Sequence, residues 1–394
     1  MEKVRLGIIG FGGMGSSHAR SILKGESPEI EVTAVCDINP DKIEWAKTFM
    51  PETVTYFDDG IKLMESGLVD AILIATPHYF HPPFAIEGFK RGLHVMCEKP
   101  AGVYTKQVRE MNAEAAKANV SFGMMFNQRT NCVYRKMKEI IDSGAMGAIR
   151  RVNWIITDWY RPQCYYDSGA WRATWSGEGG GVLLNQCPHQ LDLLQWICGM
   201  PVKVDAHVHF GKWHDIEVED DVTAYLEYPN GATGLFITST GDAPGSNRFE
   251  ITLDKGKLIV ENDKLYKWEL DVPEPEFTKT CTGSFGCPNV EYSEVETDGL
   301  NEQHKGVRNA FAANILRGEP LVANGVEGIN GLTLSNAMHL SCFLGKPVEL
   351  PFDEDLYYEE LMKRVATSRR KENVVEKIND TSGSYGGVNG AAKK

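Results

Sequence analysis

No stretch of this chain reaches the ~18 consecutive apolar residues that a membrane-crossing helix needs. The opening Met1-Glu2-Lys3-Val4-Arg5 runs straight into an apolar strand, without the leader pattern of an exported protein. Excess positive charge is also missing. Lys and Arg number 41 against 54 Asp and Glu, a net charge of -13, which disfavours a phosphate-backbone partner. The nine cysteines are an odd count without regular spacing or any C-x-x-C pair. They read as reduced thiols of a cytoplasmic protein. Cys281 and Cys287, six apart in a glycine-containing loop, lack the tighter spacing usual for structural zinc. Membrane, nucleic-acid and disulfide-scaffold classes are set aside, and no metal is expected.

What remains is an ordinary globular balance of 42% apolar and 24% charged residues over 394 positions. That length suggests two domains, each with its own core. The first stretch alternates strands and helices. Strands are expected at 4–9, 31–36, 71–75, 94–97 and 121–126. Helices are expected at about 16–23, 41–49 and 82–91, with another from 105. This order predicts a parallel, doubly wound sheet over residues 1–126. From 127 the pattern changes. An amphipathic helix (132–143) and a strand (149–157) precede a Trp/Tyr-rich loop (158–181). A helix is read over 182–198, with Pro188 kinking or restarting it. Strands follow at 202–210, 222–228, 232–239, 248–254 and 257–261, with Asn230-Gly231 and Asp254-Lys255-Gly256 as hairpin turns. Helices near 301–316 and 326–344 close the unit. Residues 127–352 therefore read as an α+β domain with a mostly antiparallel sheet. Residues 353–394 read as an extension whose tail, from about Lys377, lacks order.

Two constellations carry chemistry. Gly10, Gly12 and Gly15 fit G-x-G-x-x-G between a strand and a helix, a pyrophosphate cradle. Asp37 ends the next strand, placed to accept hydrogen bonds from an adenosine ribose and to repel a 2′-phosphate. With Ile38-Asn39-Pro40-Asp41 after it and no arginine, NAD is favoured over NADP; the plainer reading is that Asp37 caps the turn before Asn39. The second constellation pairs Glu98-Lys99-Pro100, after the strand 94–97, with Asn185, His189 and Asp192. Lys99 at a strand end could steady a substrate oxygen. Helical spacing would put Asn185, His189 and Asp192 on one face. His189 suits proton transfer, with Asp192 orienting it. The plainer readings are a surface lysine paired with Glu98 and a core histidine. Trp171-Arg172 could line the cleft or simply pack, and Gln128-Arg129 sits at the domain junction. His207, His209 and His214 resemble a metal set, but 207 and 209 share a strand face and lack a Cys or carboxylate partner. Trp159-Tyr160, with Tyr165-Tyr166 and Trp171, suggest stacking on a sugar ring, and Asn247-Arg248 are candidates for hydroxyl contacts.

The succession GIIGFGGMG (7–15), AVCDINPDK (34–42), ATPHYFHPPFAIEGFKRGLHVMCEKP (75–100) and GGGVLLNQCPHQLDLL (179–194) resembles the Gfo/Idh/MocA family over roughly residues 3–352. The resemblance implies a Rossmann domain, and a second domain whose open sheet forms dimers or tetramers. It implies nicotinamide-dependent chemistry on a sugar or cyclic polyol, with Lys99 and His189 as the catalytic pair and Asp192 beside them. Cofactor contacts are implied for Gly10, Phe11, Gly12, Gly13, Met14, Gly15, Asp37, Thr76, Pro77, His81, Glu98, Lys99, Gln128, Trp171 and Arg172. Substrate contacts are implied for Lys99, Arg129, Tyr160, Trp159, Asn185 and His189. Asn185 stands where many relatives of this type carry aspartate. An enzyme that uses NAD transiently without net redox, and an NAD-binding regulatory subunit, remain alternative readings.

Overall fold

The computed structural model describes residues 2–369, 371 and 374. The expected order-free tail from Lys377 lies outside the described residues. The first half runs β1 (Val4–Ile9), α1 (Gly13–Leu23), β2 (Ile30–Cys36), α2 (Pro40–Lys47), β3 (Thr55–Phe57), α3 (Gly60–Glu65), β4 (Ala71–Ile74), α4 (His81–Lys90), β5 (His94–Cys97), α5 (Thr105–Ala115) and β6 (Phe122–Met124). Its six strands lie in the order β3-β2-β1-β4-β5-β6, all neighbours parallel. The order reverses at β1, between β2 and β4, so the strand ends there open a crevice for a dinucleotide. Every residue of β4 is buried, as a strand covered on both faces requires.

The second half runs α6 (Cys132–Asp142), β7 (Ile149–Ile156), α7 (Gln163–Tyr166), α8 (Pro188–Cys198), β8 (Lys203–Phe210), β9 (Glu219–Glu227), β10 (Thr233–Ser239), β11 (Asn247–Leu253), β12 (Gly256–Glu261), β13 (Lys264–Leu270), α9 (Glu274–Thr280), β14 (Val290–Glu294), α10 (Gln303–Arg317), α11 (Gly328–Leu344), β15 (Val348–Glu349) and α12 (Glu354–Thr367). Nine strands form one sheet in the order β14-β13-β12-β11-β7-β10-β9-β8-β15. Only the β10–β7 neighbours are parallel. Trp154 of β7 anchors its covered face, stacking on Phe249 at 4.1 Å between ring centroids, worth ~0.5–1.5 kcal/mol beyond area burial. Apolar residues of α6, α8 and α11 complete that core.

Three expectations are corrected. The helix read over 182–198 begins at Pro188, the restart that the proline allowed, and the corrected part is 182–187, which is not helical; a proline lacks the N–H that a helix interior needs but costs nothing in a first turn. Asn185 therefore lies in a turn, off the helix that carries His189 and Asp192. The helix near 301–316, expected to close the second unit, packs on the first sheet: Val307, Phe311 and Ala312 of α10 join Leu6, Ile8, Leu73 and Met96 in one core cluster. In the extension, α12 likewise folds back, with Tyr357 and Leu361 fully buried beside the α4–α5 side of that sheet.

Candidate active site

The glycine loop shows how the sequence makes room. Gly10 has φ +91, and a Cβ there would sit 2.6 Å from the Ala75 carbonyl oxygen. A Cβ on Gly15 would stand 2.0 Å from the Gly10 carbonyl oxygen, so only glycine lets α1 approach β1 this closely. A Cβ on Gly12 would meet nothing within 4 Å: that side of the loop is open. Gly13 and Met14 begin α1, whose first turn has no side-chain cap and no acidic residue, so its positive dipole end suits an anion. Phe11 contributes only backbone, because its ring is buried against Trp45 and Phe49. Asp37 accepts from Phe11 N–H at 2.8 Å and Asn39 N–H at 2.9 Å, so it both caps the turn and borders the loop. Thr76 follows β4 beside Gly10, and its buried hydroxyl oxygen has no hydrogen-bond partner among the described residues. These features fit a bound NAD.

Glu98 and Lys99 follow β5 and point into different networks. The buried Glu98 carboxylate lies 2.7 Å from His18 Nε2. Arg308 of α10 donates to His18 Nδ1 at 2.8 Å. A guanidinium only donates, so Nδ1 is the acceptor and the proton sits on Nε2, facing Glu98. Burial opposes ionisation of Glu98, yet the His18 hydrogen bond, then His304 and Lys99, hold its carboxyl down at about 2. The partly exposed Lys99 sends its Nζ to the Asn185 carbonyl at 2.8 Å. Burial pulls the Lys99 ammonium below its ordinary value; Glu98 and Glu178 oppose that, and Arg172 and Arg161 add to it.

His189, in the first turn of α8, is 2% exposed and sits edge-on to Phe126 with centroids 6.3 Å apart. Burial, then the field of Lys99, push its imidazole well below the usual range. It is held as the neutral base. Lys99 and His189 thus share one electrostatic neighbourhood, although 90 positions separate them in the chain.

Asp192 does not reach for His189 in this structure. Its two oxygens accept from Arg129 at 2.7 and 2.8 Å, and Gln195 adds a third bond at 3.1 Å. Arg129 also donates to Glu327 at 2.7 Å and is 3% exposed. The expected substrate contact from Arg129 is corrected accordingly: its guanidinium ties α8 to the junction. Gln128 donates to Gln303 at 3.1 Å. Arg248 is likewise committed, to Glu250 and Glu261, and Asn247 accepts from Trp154. His207 and His209 stand exposed on β8, while His214 pairs with Asp220 and the Arg161 carbonyl.

Glu178 was not foreseen. It is 2% exposed, accepts from Ala173 N–H at 2.6 Å and accepts from the Asn185 side-chain amide. Burial pushes its carboxyl up, against the pull of Arg172 and these donors. Its one sequence signal is an acid isolated among Gly177, Gly179, Gly180 and Gly181. Around it, His78 donates from Nδ1 to the Glu178 carbonyl at 3.2 Å and its ring lies 6.0 Å from that of Trp171. His81 sits between two carbonyls, Pro100 at 2.7 Å and Thr76 at 2.8 Å, tying the β4 end to the β5 end. Tyr165 accepts from Arg172 at 2.9 Å. Trp159 is half-buried and Tyr160 is 48% exposed at the rim of the same loop.

Comparison with known proteins agrees with this layout. Residues 4–126 match the oxidoreductase family with an NAD-binding Rossmann fold, and residues 134–259 match the GFO/IDH/MocA C-terminal domain. Myo-inositol 2-dehydrogenase of Thermotoga maritima is 25% identical over 355 residues, covering 88% of this chain and 98% of that protein. Levoglucosan dehydrogenase of Pseudarthrobacter phenanthrenivorans is 25% identical over 297 residues, covering 67% and 75%. The WlbA dehydrogenase of Bordetella pertussis, solved with NADH and UDP-GlcNAcA, superposes with a TM-score of 0.76 at 27% identity, covering 90% of this chain and 99% of that one. The open glycine cradle, the Lys99 strand end and both matched halves lead to one conclusion: the chain belongs to the Gfo/Idh/MocA family of NAD-binding oxidoreductases.

Proposed function

We propose that this chain is an NAD-dependent dehydrogenase that oxidises a hydroxyl, or reduces the matching ketone, of a sugar or cyclic polyol. The observation that carries this reading is the convergence of Lys99, held on the Asn185 carbonyl, and the buried His189, whose imidazole feels the field of Lys99, beside the dinucleotide crevice. Relatives named for inositol and levoglucosan support the substrate class. Bound NAD would supply the hydride acceptor or donor. Gly10–Gly15, Asp37, Thr76 and Pro77 would hold it, with His81 fixing the backbone around the crevice. Lys99 orients the substrate oxygen and stabilises its anionic character. His189 takes the hydroxyl proton in oxidation and returns it in reduction. Asn185 holds Lys99 through its carbonyl, and Glu178 holds Asn185. Glu178 thereby acts on Lys99 through Asn185 and through its own field.

We also propose a homo-oligomer formed through the open face of the nine-stranded sheet, which exposes Ile155, Tyr225 and Leu235 on adjacent strands, and a cytoplasmic location. No helix of the described residues is long and apolar enough to cross a membrane. The functional test is NADH formation, read in the near ultraviolet, across monosaccharides, glycosides, anhydrosugars and inositols with NAD and NADP in parallel. Turnover with NAD establishes the dehydrogenase. Silence across the panel, with NAD retained by the protein, would overturn it in favour of transient cofactor use.

A further inference from the structure

The loop between β7 and α8 gathers positive charge in a chain that is strongly acidic overall. The Arg161 guanidinium lies 5.2 Å from the Tyr165 ring centroid and 5.5 Å from that of Trp159. The Arg172 guanidinium lies 4.6 Å from the Tyr165 centroid, so two cations share one aromatic ring. Both arginines are half-buried. Arg172 donates to the Tyr165 hydroxyl, and Arg161 donates to the Tyr160 carbonyl at 3.0 Å. Neither has a carboxylate within 4.0 Å among the described residues.

Arg172 pulls on the Glu178 carboxyl, but no nearby acid among the described residues is bonded to either arginine. Glu98 is taken by His18, and Glu178 is taken by Ala173 and Asn185. Asp158 feels Arg161 but burial works against its ionisation. Both guanidinium groups are close enough to Lys99 to disfavour its charged form. Three cations around one cleft repel one another, and an anionic ligand would relieve that repulsion. A guanidinium fork also matches the paired oxygens of a carboxylate or phosphate. The Tyr165 hydroxyl lies 3.4 Å from Asn185 Oδ1, which links this cationic ring to the segment that holds Lys99.

We propose that the substrate is an anionic sugar or polyol, whose carboxylate or phosphate docks on Arg161 and Arg172 while a hydroxyl reaches Lys99 and His189. This rests on the dehydrogenase reading above. The test compares kcat/KM with NAD for matched sets: a neutral methyl glycoside, the corresponding uronide and the corresponding 6-phosphate. The anionic members should exceed the neutral one by about tenfold or more at low salt. Their KM should rise with ionic strength while that of the neutral member stays flat. In Arg161→Gln the KM for the preferred anion should rise about tenfold, with a smaller change in the KM for NAD. The uronide and phosphate arms show which anion is meant.

Equal or better turnover of the neutral glycoside would overturn the inference and leave the dehydrogenase reading standing. A rise confined to the KM for NAD would assign the arginines to the cofactor's pyrophosphate and also overturn it. No NADH from any member would count against the dehydrogenase reading. In that event, calorimetric titration of NAD-loaded protein with the same three ligands decides the anion preference by itself: tighter binding of the uronide or phosphate supports it, and equal binding refutes it.

Discussion

The Lys99 ammonium donates to the backbone carbonyl of Asn185 at 2.8 Å. A strand end of the Rossmann sheet is thus latched to the turn that precedes α8. The lysine is placed by main chain, so the identity of side chain 185 matters through its own bonds, to Glu178 and to the Tyr165 hydroxyl.

Removing either reacting group should stop chemistry and spare binding. Lys99→Ala and His189→Ala should each lower kcat about 10²–10⁴-fold. NAD affinity, followed by tryptophan or NADH fluorescence, should change little. Near-normal turnover in either variant would remove that residue from the mechanism.

Glu178→Gln tests the positioning role. The amide keeps an acceptor for one donor but presents N–H to the other, so either Ala173 N–H or the Asn185 amide loses its partner. We expect kcat to fall about tenfold or more with the KM for NAD unchanged. Glu178→Asp should be rescued only in part, since it retains charge but not reach. A change in thermal stability alone, with kcat intact, would make the residue structural.

The pH profile follows from His189. Oxidation needs its neutral form, and burial with Lys99 pushes the imidazole well below its ordinary 6.5. Oxidation should therefore persist as pH falls through that value, and decline only under more acidic conditions. Single-turnover hydride transfer measured against pH checks this. An inflection near or above 6.5 that vanishes in His189→Ala would contradict it.

Two glycines of one loop should fail differently. Gly12 has φ -82 and open space beside it, so Gly12→Ala should fold normally yet weaken NAD, because the added methyl occupies the cradle. Gly15→Ala places a Cβ 2.0 Å from a backbone oxygen and should destabilise the fold by about 1–3 kcal/mol. Asp37→Ala should weaken NAD and narrow its advantage over NADP. Thermal melts and cofactor titrations separate these outcomes.

Arg129 offers a stability test away from the chemistry. Arg129→Ala leaves Asp192 buried without its bidentate partner, which costs about 3–5 kcal/mol. Denaturant unfolding measures it. A smaller loss in Asp192→Asn than in Arg129→Ala would show that the stranded charge, rather than the lost packing, dominates.

Much of this was legible because it is local. The β5 strand 94–97, the glycine loop and the turns at 230–231 and 254–256 depend on near neighbours, and they stand where the residues put them. The short β3, only Thr55–Phe57, went unread because three half-exposed residues carry too little periodicity. The alternating charged and aromatic β13, Lys-Leu-Tyr-Lys-Trp-Glu-Leu, went unread as well; most of its residues are only half-buried, so its pattern lacks an apolar face. The helical stripe through Asn185 was an error of context: apolar Val182-Leu183-Leu184 suits a helix, but Pro188 starts a new one. Glu178 and the saturated Arg129 depend on partners brought together by folding, to which spacing is blind.

The Arg308–His18–Glu98 chain has a consequence for how the molecule is made. Helix α10 is synthesised after nearly all of the second sheet, yet it supplies both a wall of the first sheet's core and the cation that fixes the His18 proton. A ribosome that has released only residues 1–126 has therefore made a nucleotide fold with one side uncovered and Glu98 lacking its full set of partners. The core of the dinucleotide unit becomes complete only when the chain returns to it.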